Sequence, residues 1–197
     1  MFPRQPVYPG FKIPTASFPP TAPKGAVGDV NSTARGSGAR YNSGKAPLDL
    51  IPLAVIARSI RRELGPKLVP GSAMIDVLKS LEALGDFQTK RDVAHLERSL
   101  GYLKDHWSSC AKVFDYGRKK YAEWNWAKGM DWNIPLACAA RHALQYIDGE
   151  ATDAESGESH IGHMMCNLVM LRTFVDSWPS GDNLPDPELF IPPGPAF

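Results

Sequence analysis

Three of the chain's five histidines, His142, His160 and His163, lie close together in sequence, and a run of acids separates the first from the other two. His160, His163 and Asn167 are spaced i, i+3, i+7. On a helix, at about 100° per residue, they fall within an arc of roughly 60°. Met164, Leu168 and Leu171 lie beside that row, so the row borders an apolar face and points inward. On the preceding helix Arg141, Gln145 and Asp148 form a similar row with His142 next to it, and the connecting loop adds Glu150, Asp153, Glu155 and Glu158. A helical pair of this kind can gather nitrogen and oxygen ligands around one or two divalent cations. Mixed histidine and carboxylate ligands suit Mn²⁺, Fe²⁺ or Zn²⁺ better than Mg²⁺, which prefers oxygen alone. The plainer alternative is a satisfied polar core, histidine to carboxylate and arginine to aspartate, with no metal. Spacing alone leaves both open.

Two features upstream bear on the choice. Arg118, Lys119 and Lys120 close a helix, where cations match the helix dipole or can clamp a triphosphate. Directly after them come Trp124, Asn125, Trp126, Lys128, Gly129 and Trp132. Such a cluster is either a set of core plugs or a wall on which a nucleobase stacks. Other chemistries lack their residues. Gly44-Lys45 is followed by Ala46, so there is no Walker loop, and neither GxSxG nor HExxH occurs. Cys138 stands one turn before His142, but on a mostly apolar helix.

The elements that must position these groups read as helices throughout. Leu53, Ile56, Ala57 and Ile60 mark a first helix stopped at Gly65-Pro66. A second is expected over 71–84, with Ser72 as N-cap and Gly85-Asp86 as its break. A third is expected over 89–105, a fourth over 106–122, a fifth over 135–148 and a sixth over 159–178 with Ser159 as N-cap. No stretch alternates like a strand. The expected fold is all-α, a bundle of about six helices with extended Pro-rich tails. The expected organisation is a Pro/Gly-rich arm over 1–38, a domain over 39–178 with a helical insertion at 59–108, and a tail over 179–197.

Bulk properties exclude several classes. The chain has 197 residues, 43% hydrophobic and 22% charged, which is ordinary for one globular domain. A net charge of +1 gives no global field toward nucleic acid or membrane. No apolar run reaches membrane-spanning length and no secretory h-region is visible, so a cytoplasmic protein is expected. Three cysteines without CxxC spacing fit free thiols in a reducing compartment.

An ordered series of motifs carries a resemblance. It runs from Asn42-Ser43-Gly44-Lys45 and Leu48-Asp49-Leu50-Ile51-Pro52 to Tyr116-Gly117-Arg118-Lys119-Lys120-Tyr121 and Asn125-Trp126-Ala127-Lys128-Gly129. It continues through Arg141-His142, Gly149-Glu150, Asp153, Glu155-Ser156-Gly157, His160, His163 and Asn167. This series resembles the dATP/dGTP diphosphohydrolase N-terminal domain family, encoded mainly by bacteriophages and placed with the MazG-like all-α nucleotide pyrophosphohydrolases. The resemblance covers about residues 39–55 and 110–175. It implies hydrolysis of a (deoxy)purine nucleoside triphosphate to monophosphate and pyrophosphate, a divalent cation (Mg²⁺, Mn²⁺ or another transition metal), a homo-oligomer, and the host cytoplasm for a phage-encoded chain. Better-known MazG-type proteins pair an EExxE helix with an ExxD helix; here His160 and His163 stand at the i, i+3 positions.

The resulting assignment makes Glu150, Asp153, His160 and His163 metal ligands or their supports. Glu155, His142 and Glu150 are the candidates for acid–base work. Lys45, Lys119, Lys120, Lys128 and Arg141 are expected on phosphates, and Trp126 and Asn125 on the base. Two alternatives stand beside it. One is a non-catalytic nucleotide-binding or protein-interaction module. The other is a histidine-aspartate triphosphohydrolase, which needs a contiguous His-Asp pair absent here.

Overall fold

The computed structural model describes residues 26–41 and 44–191. It is all-α apart from one minimal ribbon, β1 (Ala26–Val27) against β2 (Arg40–Tyr41), antiparallel. The helices are α1 (Leu53–Leu64), α2 (Ala73–Lys90), α3 (Val93–Tyr102), α4 (Trp107–Lys120), α5 (Asn133–Ile147) and α6 (His160–Ser177). Among the described residues no helix is long and apolar enough to cross a membrane. All three cysteines are free and buried.

Two long helices, α6 and α2, organise the core. α6 packs against α5, α4 and α3, and α2 packs against α1, α3 and α5. Met164, Met165, Leu168, Leu171 and Phe174 of α6 are buried, so its apolar surface runs nearly all round. Ser159 caps α6 by accepting from Gly162 N–H, as its position before the helix predicts. The segment expected as an insertion is the second layer: α2 and α3 put Leu81, Leu84, Phe87 and Leu96 into the same core.

One expected break is absent. α2 runs through Gly85-Asp86 to Lys90. Gly85 serves a helix crossing instead: a Cβ there would lie 2.2 Å from the Ala54 backbone nitrogen. The chain turns at Arg91, whose left-handed backbone (φ 55°) ends α2, and Asp92 then caps α3 through His95 N–H. The third helix therefore starts at Val93 rather than at residue 89.

The two expected tails also differ from expectation where they are described. Residues 28–41 lie against the loop after α4. Gly36 N–H donates to Lys128 O and Gly38 N–H to Gly129 O. Asn125 holds Ala39 like a strand partner, accepting from its N–H at 3.2 Å and donating to its carbonyl at 2.9 Å. At the other end, Leu184 is buried, and Arg91 grips Asp182 with two hydrogen bonds. Trp178 supports both segments. A Cβ on Gly129 (φ 91°) would sit 2.5 Å from its ring, so only glycine fits there. The rest of the expected tails, residues 1–25 and 192–197, and Asn42 and Ser43 of the first motif lie outside the described residues.

Candidate active site

α5 and α6 bring their histidines face to face. His142 is on α5, His160 and His163 are on α6, and all three are buried. His142 Nδ1 lies 2.9 Å from His160 Nδ1, and the His142 and His163 rings stack with centroids 4.3 Å apart. Two imidazole nitrogens approach that closely by sharing either one proton or one cation. Asp153 joins them from the loop. Ligand atoms of His142, Asp153 and His160 all lie within 4.8 Å of one another, close enough to hold one metal ion.

Two further observations fit a cation here. His160 Nε2 is buried without a hydrogen-bond partner, and the nearest carboxylate, Glu150, is 3.5 Å away on a side chain 60% exposed. Asp153 is ionised: burial opposes it, but the Ser156 hydroxyl (2.8 Å) and N–H (2.9 Å) hold its carboxyl below the usual range. A carboxylate and two imidazoles form a donor set that Mn²⁺, Fe²⁺ or Zn²⁺ accepts. Burial first, and then the neighbouring His142, keep His160 less basic than usual and push His163 down to about 3.

His163 has another place than the one expected. Its Nε2 is 2.7 Å from Ser156 Oγ and 3.8 Å from Asp153 Oδ2. Ser156 Oγ also accepts from Glu158 N–H at 3.1 Å. One proton ordering serves every group: His163 Nε2–H donates to Ser156 Oγ, and Ser156 O–H donates to Asp153. His163 thus supports Asp153 through Ser156 and supports the His142 ring by stacking. His142 stands in the cluster where the sequence reading put His163.

A cavity of about 620 Å³ opens beside the cluster. His142, Asp153 and His163 line one end, and Phe114, Trp124 and Trp126 form an aromatic wall. Trp126 packs between Phe114 (5.2 Å) and Phe174 (6.4 Å). Trp124 is 59% exposed beside it, with its backbone left-handed at φ 57°. Arg40, Lys45, Arg118 and Lys120 are the cations around the rim and floor. Lys120 pairs with Glu155 and lies over the rings of Tyr41, Tyr116 and Tyr121. That pairing lowers the Glu155 carboxyl, which also accepts from Tyr116 OH at 3.2 Å.

The other expected site residues fall elsewhere. Lys119 is on the outside with Asp115. Lys128 Nζ donates to Val30 O, and Arg141 donates to Ala46 O. The Asn125 carboxamide is committed to Ala39, so it is not open to a base edge. Trp132 is a core plug, stacked on Phe87 at 5.6 Å. Sequence reading gave no role to Arg40, Phe114 and Ser156, and named Trp124 only within the aromatic cluster. The signals were present, an arginine just before the first motif and a serine between two loop acids, but only the fold shows what they face.

Comparison with curated proteins and with solved structures gives no match. Residues 90–183 match the family model described as dATP/dGTP diphosphohydrolase, N-terminal. That segment carries α3 to α6 and the whole histidine–aspartate cluster, so the similarity to this family spans the candidate site.

Proposed function

We propose that the protein hydrolyses a purine (deoxy)nucleoside triphosphate to monophosphate and pyrophosphate, with a divalent cation at His142, Asp153 and His160. The observation that carries this reading is one cavity joining that cluster to an aromatic wall, with cations between. The family name points to the same chemistry. A bound cation would supply charge neutralisation on the phosphates and a water of lowered pKa.

The chain's own residues do the rest. Trp126 and Trp124 offer faces to a base, worth about 1–3 kcal/mol per stacked base. Lys45 and Lys120 meet phosphate charge at the rim. Ser156 and His163 fix the Asp153 carboxylate, and His163 stays neutral at pH 7, so it adds no competing positive charge. Glu155, released from Lys120 when phosphates draw the lysine away, is the candidate base for an attacking water. Phosphoryl transfer depends chiefly on such positioning and electrostatics. In this reading Glu150 lies at the edge of the cluster and Asn125 positions the 28–41 segment instead of reading the base. A homo-oligomer and a phage origin stay part of the proposal.

The test is incubation with each dNTP and NTP plus Mn²⁺ or Mg²⁺, with products resolved. Monophosphate plus pyrophosphate is expected, fastest with a purine. Nucleoside plus triphosphate would identify the other hydrolase class. No turnover with any metal would leave the cavity as a binding site and end the enzymatic reading.

A further inference from the structure

Arg40 belongs to β2, outside the segment that matches the family. Its side chain crosses to the gap between α5 and α6. Nη2 donates to Asn167 Oδ1 at 2.7 Å and to Cys138 Sγ at 3.2 Å, and Nη1 reaches Met170 Sδ at 3.9 Å. All three partners are buried. A guanidinium has five N–H donors and always carries its charge. Here one amide oxygen and two sulfurs serve it, and among the described residues no oxygen accepts from Nε or Nη1. Among the described residues no carboxylate pairs with it, whereas Arg61, Arg91, Arg118 and Arg172 each have one. The side chain is half-buried, and a charge taken out of water with incomplete pairing is costly. Arg40 also lines the cavity, at the end where His142, Asp153 and His163 stand.

The Cys138 thiol is the one ionisable group in contact with it. Burial would raise that thiol, but Arg40 and His142 outweigh burial and hold it well below its ordinary range. A single diffuse sulfur on one edge still leaves the other edge of the guanidinium open to the cavity.

We infer that Arg40 is an anion clamp of the site: its open edge binds a phosphate of the substrate at the histidine end of the cavity. The inference rests on the reading of the cavity as a nucleoside triphosphate site. It also makes residues 28–41 part of that site. Tyr41 N–H donates to Tyr121 OH at 2.9 Å, and Ala39 is held on both sides by Asn125, so Arg40 is fixed from its two neighbours. The family segment alone would then lack one of its phosphate contacts.

The experiment uses the full chain and inorganic triphosphate in the presence of a chelator, so that metal contributes nothing. Calorimetry is expected to show binding by the wild type and a loss of about 10- to 100-fold in Arg40→Gln. Arg40→Lys should retain most of the affinity. Without ligand, Arg40→Gln should keep its helical signal and melt close to the wild-type temperature, because the open edge it removes has no protein partner to lose. Two results would overturn the inference: triphosphate affinity unchanged in Arg40→Gln, or Arg40→Gln and Cys138→Ala both melting well below wild type with binding untouched. The second would assign the guanidinium to a structural pair with the thiol. If triphosphate binding depends on Arg40 while no nucleotide is turned over, only the hydrolase reading fails. If turnover is intact and Arg40→Gln matches wild type, only this inference fails.

Discussion

Buried polar groups are treated in two ways in this molecule. In the α1–α2 layer Gln88 is 1% exposed, and both ends of its carboxamide are served. It accepts from Leu53 N–H at 2.9 Å and donates to the carbonyls of Asp49 and Ile51, closing the start of α1. In the α5–α6 layer His160 is fully buried with Nε2 unserved, and Arg40 is half-buried with no carboxylate partner among the described residues. Gln88 is complete within its own layer. In the second layer Arg40 lines the cavity, and His160 stands behind His142, which lines it too. Ser72 Oγ and Ser80 Oγ of the first layer are also unserved, but they are single hydroxyls outside the lining of that cavity. The difference teaches where to look for function: at polar groups whose partners the chain does not provide.

The predictions probe that contrast, beginning with the largest effect. Gln88→Leu strands one N–H and two carbonyls, and should cost about 3 kcal/mol or more in chemical denaturation, with the histidine–aspartate cluster unaffected. Gly85→Ala forces a Cβ into the Ala54 backbone and should cost about 2–3 kcal/mol by the same measurement. A third effect is pH dependence. His163 titrates near 3 in the fold and near 6.5 when unfolded. Between those values the unfolded chain binds more protons, so stability is fully present above pH 6.5 and falls as pH drops toward 3. The loss should reach about 2 kcal/mol by pH 5, and His163→Gln should flatten that part of the stability profile. The smallest effect is Gly101→Ala. Nothing lies within 4 Å of its Cβ position in α3, so thermal melting should show a gain of about 0.5–1 kcal/mol.

The helices were legible because their apolar periodicity is strong, and Ser159 and the inward face of His160, His163 and Asn167 followed from spacing. Gly85 was misread because glycine in a helix signals a break locally but a close crossing tertiarily, and only Ala54 distinguishes the two. The cluster was legible as a neighbourhood, not as a ligand set. His142 and His163 trade places because ring stacking and the Ser156 hydroxyl decide which nitrogen is free. Lys119 and Lys120 are adjacent in sequence, yet helical geometry turns one to Asp115 and the other to the cavity. Arg40 was visible only as an arginine before the first motif, and its role was not legible because its partners are about a hundred residues away in sequence.

The central claim is that the unserved nitrogen and its neighbours await a cation. Calorimetric titration of Mn²⁺ into the metal-free protein tests it directly, comparing wild type with His160→Gln at pH 7.5. The account predicts one site per chain in the wild type, a rise in melting temperature on binding, and loss of both in His160→Gln with its helical signal intact. Equal Mn²⁺ affinity in the two proteins, or no binding by the wild type, would contradict it.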